Sequence, residues 1–282
     1  MKLRSIAMMA ALAVLAVSPE VNAVAAPKRP AAPAVDPTVS YYDLGYAALS
    51  HGDYAGAYHL WLPLAERGFA PAQFAIGNLY FAGQGVAQDY TAAVRWYRKS
   101  ADQGDATGQT GLGVMYQYGR GVAQDYAAAV SWYRKAADQG GATGQFMLGV
   151  MYRDGTGVAQ DYAAAVSWYR KSADQGQPTA QFNLGAMYVL GQGVAQDYVT
   201  AAALYRKAAE QGNATAQRIL GVMYENGQGV PQDYVQANKW FNLAVASGNA
   251  DAVQARDIIA AKMTPAQIAE AQRLASQWKP TK

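Results

Sequence analysis

An all-α fold, an α-solenoid of stacked antiparallel helix pairs, is predicted for these 282 residues by three observations. Asp89, Asp125, Asp161, Asp197 and Asp233 stand 36 residues apart, each followed at once by a tyrosine (Tyr90, Tyr126, Tyr162, Tyr198, Tyr234). Two glycine series keep the same step: Gly85, Gly121, Gly157, Gly193 and Gly229, and Gly104, Gly140, Gly176, Gly212 and Gly248. Between these marks apolar residues recur at helical spacing, and a fixed period in this range denotes two-helix units piled on one another.

The elements follow in chain order. Lys2 and Arg4 precede an uncharged run from Ile6 to Val17, the pattern of a secretory leader. That run of 12 residues is shorter than the roughly 20 that a membrane-spanning helix needs. Small side chains in Val21-Asn22-Ala23 and Ala23-Val24-Ala25 place the expected cleavage after Ala23 or Ala25, so residues 1–23 are assigned to a signal peptide. Pro27, Pro30, Pro33 and Pro37, set among Ala and Val, make residues 24–40 an extended linker. With no cysteine there is neither a disulfide framework nor a lipid-modified thiol. A periplasmic or secreted chain is expected, meeting a membrane only through an uncleaved leader.

The solenoid is expected over residues 41–262, beginning with a cap pair at 41–68 in which Gly45 lies only 8 residues from Asp53, against 12 between Gly77 and Asp89. One unit illustrates the rest. Asp125 opens a helix by accepting from free backbone N–H groups and by complementing the positive helix end. Ala129, Trp132, Tyr133 and Ala136 then form one buried stripe, Arg134 and Lys135 stay outside, and Gly140 ends the helix. The next segment, Ala142 to Tyr152, buries Leu148, Met151 and Tyr152, and Gly149 permits a close helix approach. We call the glycine-containing helices A-type and the aspartate-led helices B-type. Helices this short are not stable alone, so stacking is compulsory. The last pair departs from the pattern with Val253, Arg256 and Asp257 where other units carry Gln, Leu and Gly, as suits a terminal helix. A final helix and tail occupy 263–282, opened by Thr264 as N-cap and Pro265 in the first turn.

Leu148-Gly149-Val150-Met151-Tyr152, Gly155-Thr156-Gly157-Val158, Asp161, Ala165 and Trp168-Tyr169-Arg170-Lys171-Ser172-Ala173 resemble the Sel1-like repeat, a relative of the tetratricopeptide repeat. The resemblance implies a right-handed superhelix whose A-type helices line a concave side, and it is associated with adaptor and assembly roles. Some secreted members have been described as β-lactamases that bind penicillin-like compounds, but those are cysteine-rich.

No catalytic, cofactor or metal site is predicted. The Gly-x-Gly-Val loops lie between helices, and an aspartate at the next helix start would repel a phosphate. His51 and His59 are the only histidines, so no metal-ligand spacing exists. Ser276-x-x-Lys279 lacks the companion motifs of a penicillin-binding hydrolase. The net charge of +3 is spread along the chain, which argues against a nucleic-acid surface. Arg98, Arg134, Arg170 and Arg206 stand four residues before Asp102, Asp138, Asp174 and Glu210, so the basic stripe is read as a partly neutralised outer face.

Divergence between copies points to recognition. One A-helix column reads Phe74, Thr110, Phe146, Phe182, Arg218; seven residues on, a second reads Phe81, Gln117, Arg153, Val189, Glu225. Seven residues are about two turns, so both columns share a face. Exposed aromatics beside single charges suit a peptide or partner helix, and these ten residues form the expected groove. The function expected is a protein–protein interaction scaffold; a β-lactamase-like hydrolase and a peptidoglycan-associated structural protein are the alternatives.

Overall fold

A computed structural model of the protein describes residues 37–281, with side chains from Tyr41 onward. The signal peptide and all of the linker before Pro37 lie outside the described residues. The fourteen elements described are all helices, with no strand among the described residues. They fall into two compact units, residues 37–160 and 161–281.

The first unit contains α1 (Pro37–Ser50), α2 (Tyr54–Glu66), α3 (Ala70–Ala82), α4 (Tyr90–Asp102), α5 (Ala106–Tyr118), α6 (Tyr126–Asp138) and α7 (Ala142–Asp154). Helix α1 begins four residues before the boundary expected at 41, with Pro37 in the first turn, where a missing N–H leaves nothing unpaired. In the cap pair the Trp61 indole N–H donates to the Tyr42 carbonyl at 3.0 Å, and its ring lies against Gly45. Each helix packs on the next, and the A-type helices α3, α5 and α7 also touch one another in sequence.

Local chemistry sets the helix ends, the aspartate caps as predicted. The carboxylates of Asp53, Asp89 and Asp125 accept from the backbone N–H three residues on, at 2.8, 2.9 and 2.9 Å. Gly83, Gly119 and Gly155 end the A-type helices in the left-handed conformation. Helix packing adds what periodicity does not show. Gln73, Gln109 and Gln145 are buried, and their amides donate to the carbonyls of Ala65, Ala101 and Ala137 at 3.0, 3.4 and 3.3 Å, each at the end of the preceding B-type helix. Gln103 and Gln139 donate in turn to Gln73 and Gln109, at 2.7 and 2.8 Å. This polar ladder satisfies helix-end carbonyls that burial would otherwise orphan.

Two expectations about the B-type helices need correction. Ala129, Tyr133 and Ala136 are buried, but Trp132 is only half-buried, with the Lys135 ammonium 3.9 Å from its ring centre. The arginines do not pair with acids one turn on: Arg98 donates to the Tyr116 hydroxyl and Arg134 to the Tyr152 hydroxyl, both at 2.6 Å. A tyrosine on the next A-type helix offers a fixed acceptor, whereas an exposed i,i+4 pair gains little in water.

The second unit contains α8 (Tyr162–Asp174), α9 (Pro178–Leu190), α10 (Tyr198–Glu210), α11 (Ala214–Asn226), α12 (Tyr234–Ala246), α13 (Asp251–Ala260) and α14 (Pro265–Ser276). The same arginine pattern recurs, Arg170 to Tyr188 at 2.8 Å and Arg206 to Tyr224 at 2.7 Å. The expected capping of α14 is present, with Thr264 and Gln267 bonding reciprocally. Helix α14 lies on α12, and beyond it the Thr281 N–H donates to the Glu210 carbonyl at 2.8 Å. Trp240, whose counterparts Trp96, Trp132 and Trp168 are half-buried, is thereby sunk to 3% exposure. Leu243 stands where Lys99, Lys135 and Lys171 stand in the other B-type helices.

The glutamine ladder ends in this unit. Gln211 donates to Gln181 at 2.9 Å, but the next rung places Ser247 opposite Gln217, whose Oε1 is buried without a partner. Ser247→Gln is expected to supply that donor and raise stability by about 0.5–1.5 kcal/mol. A urea midpoint unchanged or lowered in the variant would refute this account of the rung.

Candidate functional site

The two predicted columns do not line an open wall. Phe74, Phe146 and Phe182 are buried, as are Thr110, Arg153 and Val189; only Phe81, Gln117, Arg218 and Glu225 keep partial exposure. The expectation of exposed phenylalanines is corrected by the direction of the shared face, which turns towards the following B-type helix. Phe74 lies 5.7 Å from Tyr97 and Phe182 5.4 Å from Tyr205 between ring centres. Gln117 accepts from the Tyr133 hydroxyl at 2.6 Å. At the same register Val189 offers no acceptor, and the Tyr205 hydroxyl is buried without a partner. Thr110 closes its own helix by donating to the Ala106 carbonyl at 2.8 Å.

The charged members are also engaged within the chain. Arg153 binds the Asp154 carboxylate with two nitrogens, at 2.6 and 2.8 Å. Glu225 receives the Lys262 ammonium at 2.9 Å, which holds that ammonium above its ordinary pKa. Burial lowers the Arg218 pKa, opposed by the charge of Asp251.

One partly accessible aromatic cluster lies at one edge of the first unit. Phe81 sits near the end of α3, Tyr90 opens α4, Tyr118 ends α5, and Arg120 occupies the loop before α6. The Phe81 and Tyr90 ring centres are 5.5 Å apart. The Arg120 guanidinium lies 5.4 Å from the Phe81 ring, 5.5 Å from Tyr90 and 5.6 Å from Tyr118. Burial raises the Tyr118 hydroxyl pKa, while the Arg120 charge acts to lower it and Tyr126 adds to the rise. Tyr126 itself is 41% exposed, its hydroxyl receiving the Gln124 amide at 2.9 Å. This arrangement offers aromatic faces and one cation, a chemistry of binding.

Of the predicted residues, only Phe81 and Gln117 border this cluster in sequence; Tyr90, Tyr118, Tyr126 and Arg120 were not predicted. The signal lay in two neighbouring columns, Ala82, Tyr118, Asp154, Leu190, Asn226 and Gln84, Arg120, Thr156, Gln192, Gln228, where the second copy alone carries an aromatic and an arginine. In the glycine loops the Gln84, Arg120 and Thr156 amides donate to the carbonyls of Leu79, Met115 and Met151. The Ser276 hydroxyl donates to the Arg273 carbonyl of its own helix at 2.9 Å. Among the described residues no His, Asp or Glu group of three is placed to hold a metal, and no helix is long and apolar enough to cross a membrane.

Comparison with known proteins matches the Sel1 repeat to residues 70–105, 106–141, 142–177, 178–213 and 214–249. A protective antigen present in uropathogenic Escherichia coli strains, which displays an SLR fold, is 37% identical with a TM-score of 0.71. The match covers 85% of this chain and 53% of that one, so this chain spans about half its length. A Sel1 repeat protein from Oxalobacter formigenes is 33% identical, TM-score 0.73, over 84% of this chain and 96% of its own. An immunity protein from Pseudomonas aeruginosa shares the fold at 24% identity, TM-score 0.55, over 78% of this chain and 85% of its own. No curated protein matches the sequence.

Proposed function

Because the chain belongs to the Sel1 repeat family, whose members are generally protein–protein interaction scaffolds, we propose that it holds a protein or peptide partner on the A-helix side of residues 70–138, by binding and without turnover. One observation carries the reading. The copies repeat their packing residues faithfully, yet three departures from the repeat, Phe81, Tyr118 and Arg120, converge on one accessible cluster. Packing alone requires the copies to agree; a surface that selects one partner requires them to differ.

The leader read in residues 1–23 supports a periplasmic or secreted setting, where the partner would belong to the cell envelope. The proposed surface keeps Phe81 and Gln117 from the predicted set and adds Tyr90, Tyr118, Arg120 and Tyr126. A cross-linking pull-down from envelope extract tests the proposal, comparing the natural chain with a Phe81→Leu, Tyr118→Leu variant that keeps apolar volume and removes two rings. Recovery of a specific partner is expected to fall at least about tenfold, in the range of aromatic hot spots. Equal recovery by a variant with an unchanged melting curve would defeat the assignment.

A further inference from the structure

We infer that Arg120 is the anchor for a carboxylate in an acidic peptide segment, seated on Phe81, Tyr90 and Tyr118; this rests on reading the cluster as a partner-binding surface. Three features coincide at Arg120. Its guanidinium makes no hydrogen bond or ion pair among the described residues, whereas Arg98 and Arg134 spend a donor on a tyrosine hydroxyl. It is surrounded by three rings at nearly equal distance. It is the only charged residue at its loop position, the other copies carrying Gln84, Thr156, Gln192 and Gln228.

The geometry leaves the guanidinium with uncommitted chemistry. Ring faces attract the cation but satisfy none of its five N–H donors, whose planar fork matches a carboxylate. The backbone beneath is already fixed. The Arg120 N–H is bonded to the Met115 carbonyl at 3.0 Å, and Gly119 and Gly121 flank it in the left-handed conformation, with φ of 63° and 68°. The backbone of Gly121 lies directly against that of Tyr90, which ties the loop to the ring it presents. Little ordering therefore remains to be done when the acid arrives. Exposed Tyr126, with the partly exposed rings of Phe81 and Tyr90, favours an aromatic or aliphatic residue beside that acid. The occupant is thus a peptide bearing Glu or Asp next to Phe or Leu.

The test uses the full chain on an array of octapeptides in which Glu, Gln or Lys stands beside Phe, Leu or Ala. Glu beside Phe or Leu is expected to bind about tenfold or more tightly than the Gln counterpart, as for a charge-assisted pair. The preference should weaken with salt, vanish in Arg120→Gln and return only in part in Arg120→Lys, which lacks the fork. Indifference to Glu against Gln, absence of binding to any array member, the same preference in Arg120→Gln, or complete competition by inorganic phosphate would each overturn the inference. An Arg120-dependent preference without any captured envelope protein would sink the scaffold reading and leave this one standing. A captured partner indifferent to Arg120→Gln would do the reverse.

Discussion

Gly121→Ala is expected to destabilise the 37–160 unit by about 2–5 kcal/mol, while Gly140→Ala in the same unit costs only about 1–2 kcal/mol. Both glycines have positive φ, 68° and 86°, so both substitutions carry the left-handed strain of an L side chain. They differ in what a Cβ would meet. At Gly140 nothing lies within 4 Å. At Gly121 the new methyl would run into the carbonyl carbon and oxygen of Tyr90 and the nitrogen of Thr91, backbone that no rotamer change can move. Relief must come from shifting the loop off the start of α4, which also draws Arg120 away from the Tyr90 ring. Urea unfolding followed by far-ultraviolet circular dichroism compares the two variants directly. Equal midpoints would show that the loop yields freely and that the 36-residue glycine step reflects chain conformation alone.

Deletion of residues 264–282 is expected to cost about 3–6 kcal/mol in the terminal repeat, the scale of uncovering one tryptophan and one leucine. Helix α14 lies on α12, where Trp240 and Leu243 are buried, and the tail continues to the Glu210 carbonyl at the end of α10. The Trp240 indole N–H is buried without a partner, so the contact is held by apolar packing. Because each repeat leans chiefly on its neighbours, the loss should be local. Amide exchange in α12 and α13 should accelerate, while α4 to α6 keep their protection. Unchanged exchange in α12 would show that the C-terminal helix adds nothing to the repeat beneath it.

The helix pairs could be read from the residues because their causes are local. An aspartate with three free N–H groups ahead of it, a glycine that alone tolerates a left-handed stop, and apolar residues three and four apart act within one or two turns. Their recurrence every 36 residues then compels stacking. Helical spacing places Trp132 in the buried stripe, yet spacing cannot tell the centre of such a stripe from its rim, where Lys135 covers the ring. Spacing pairs Arg98 with Asp102, four residues away, but the tyrosine that receives it is 18 residues away, on another helix.

The sequence by itself determined the repeat, the helix ends and the family. The tertiary structure decided which faces are left open. Phe74 and Phe81 share a face by periodicity, but only the placement of α4 turns that face inward and buries Phe74 against Tyr97. Likewise Phe81, Tyr90, Tyr118 and Arg120 come from three helices and a loop, and they become one surface only when neighbouring repeats are stacked. Periodicity gives the angle of a residue about its own helix, while exposure depends on what the rest of the chain sets against it.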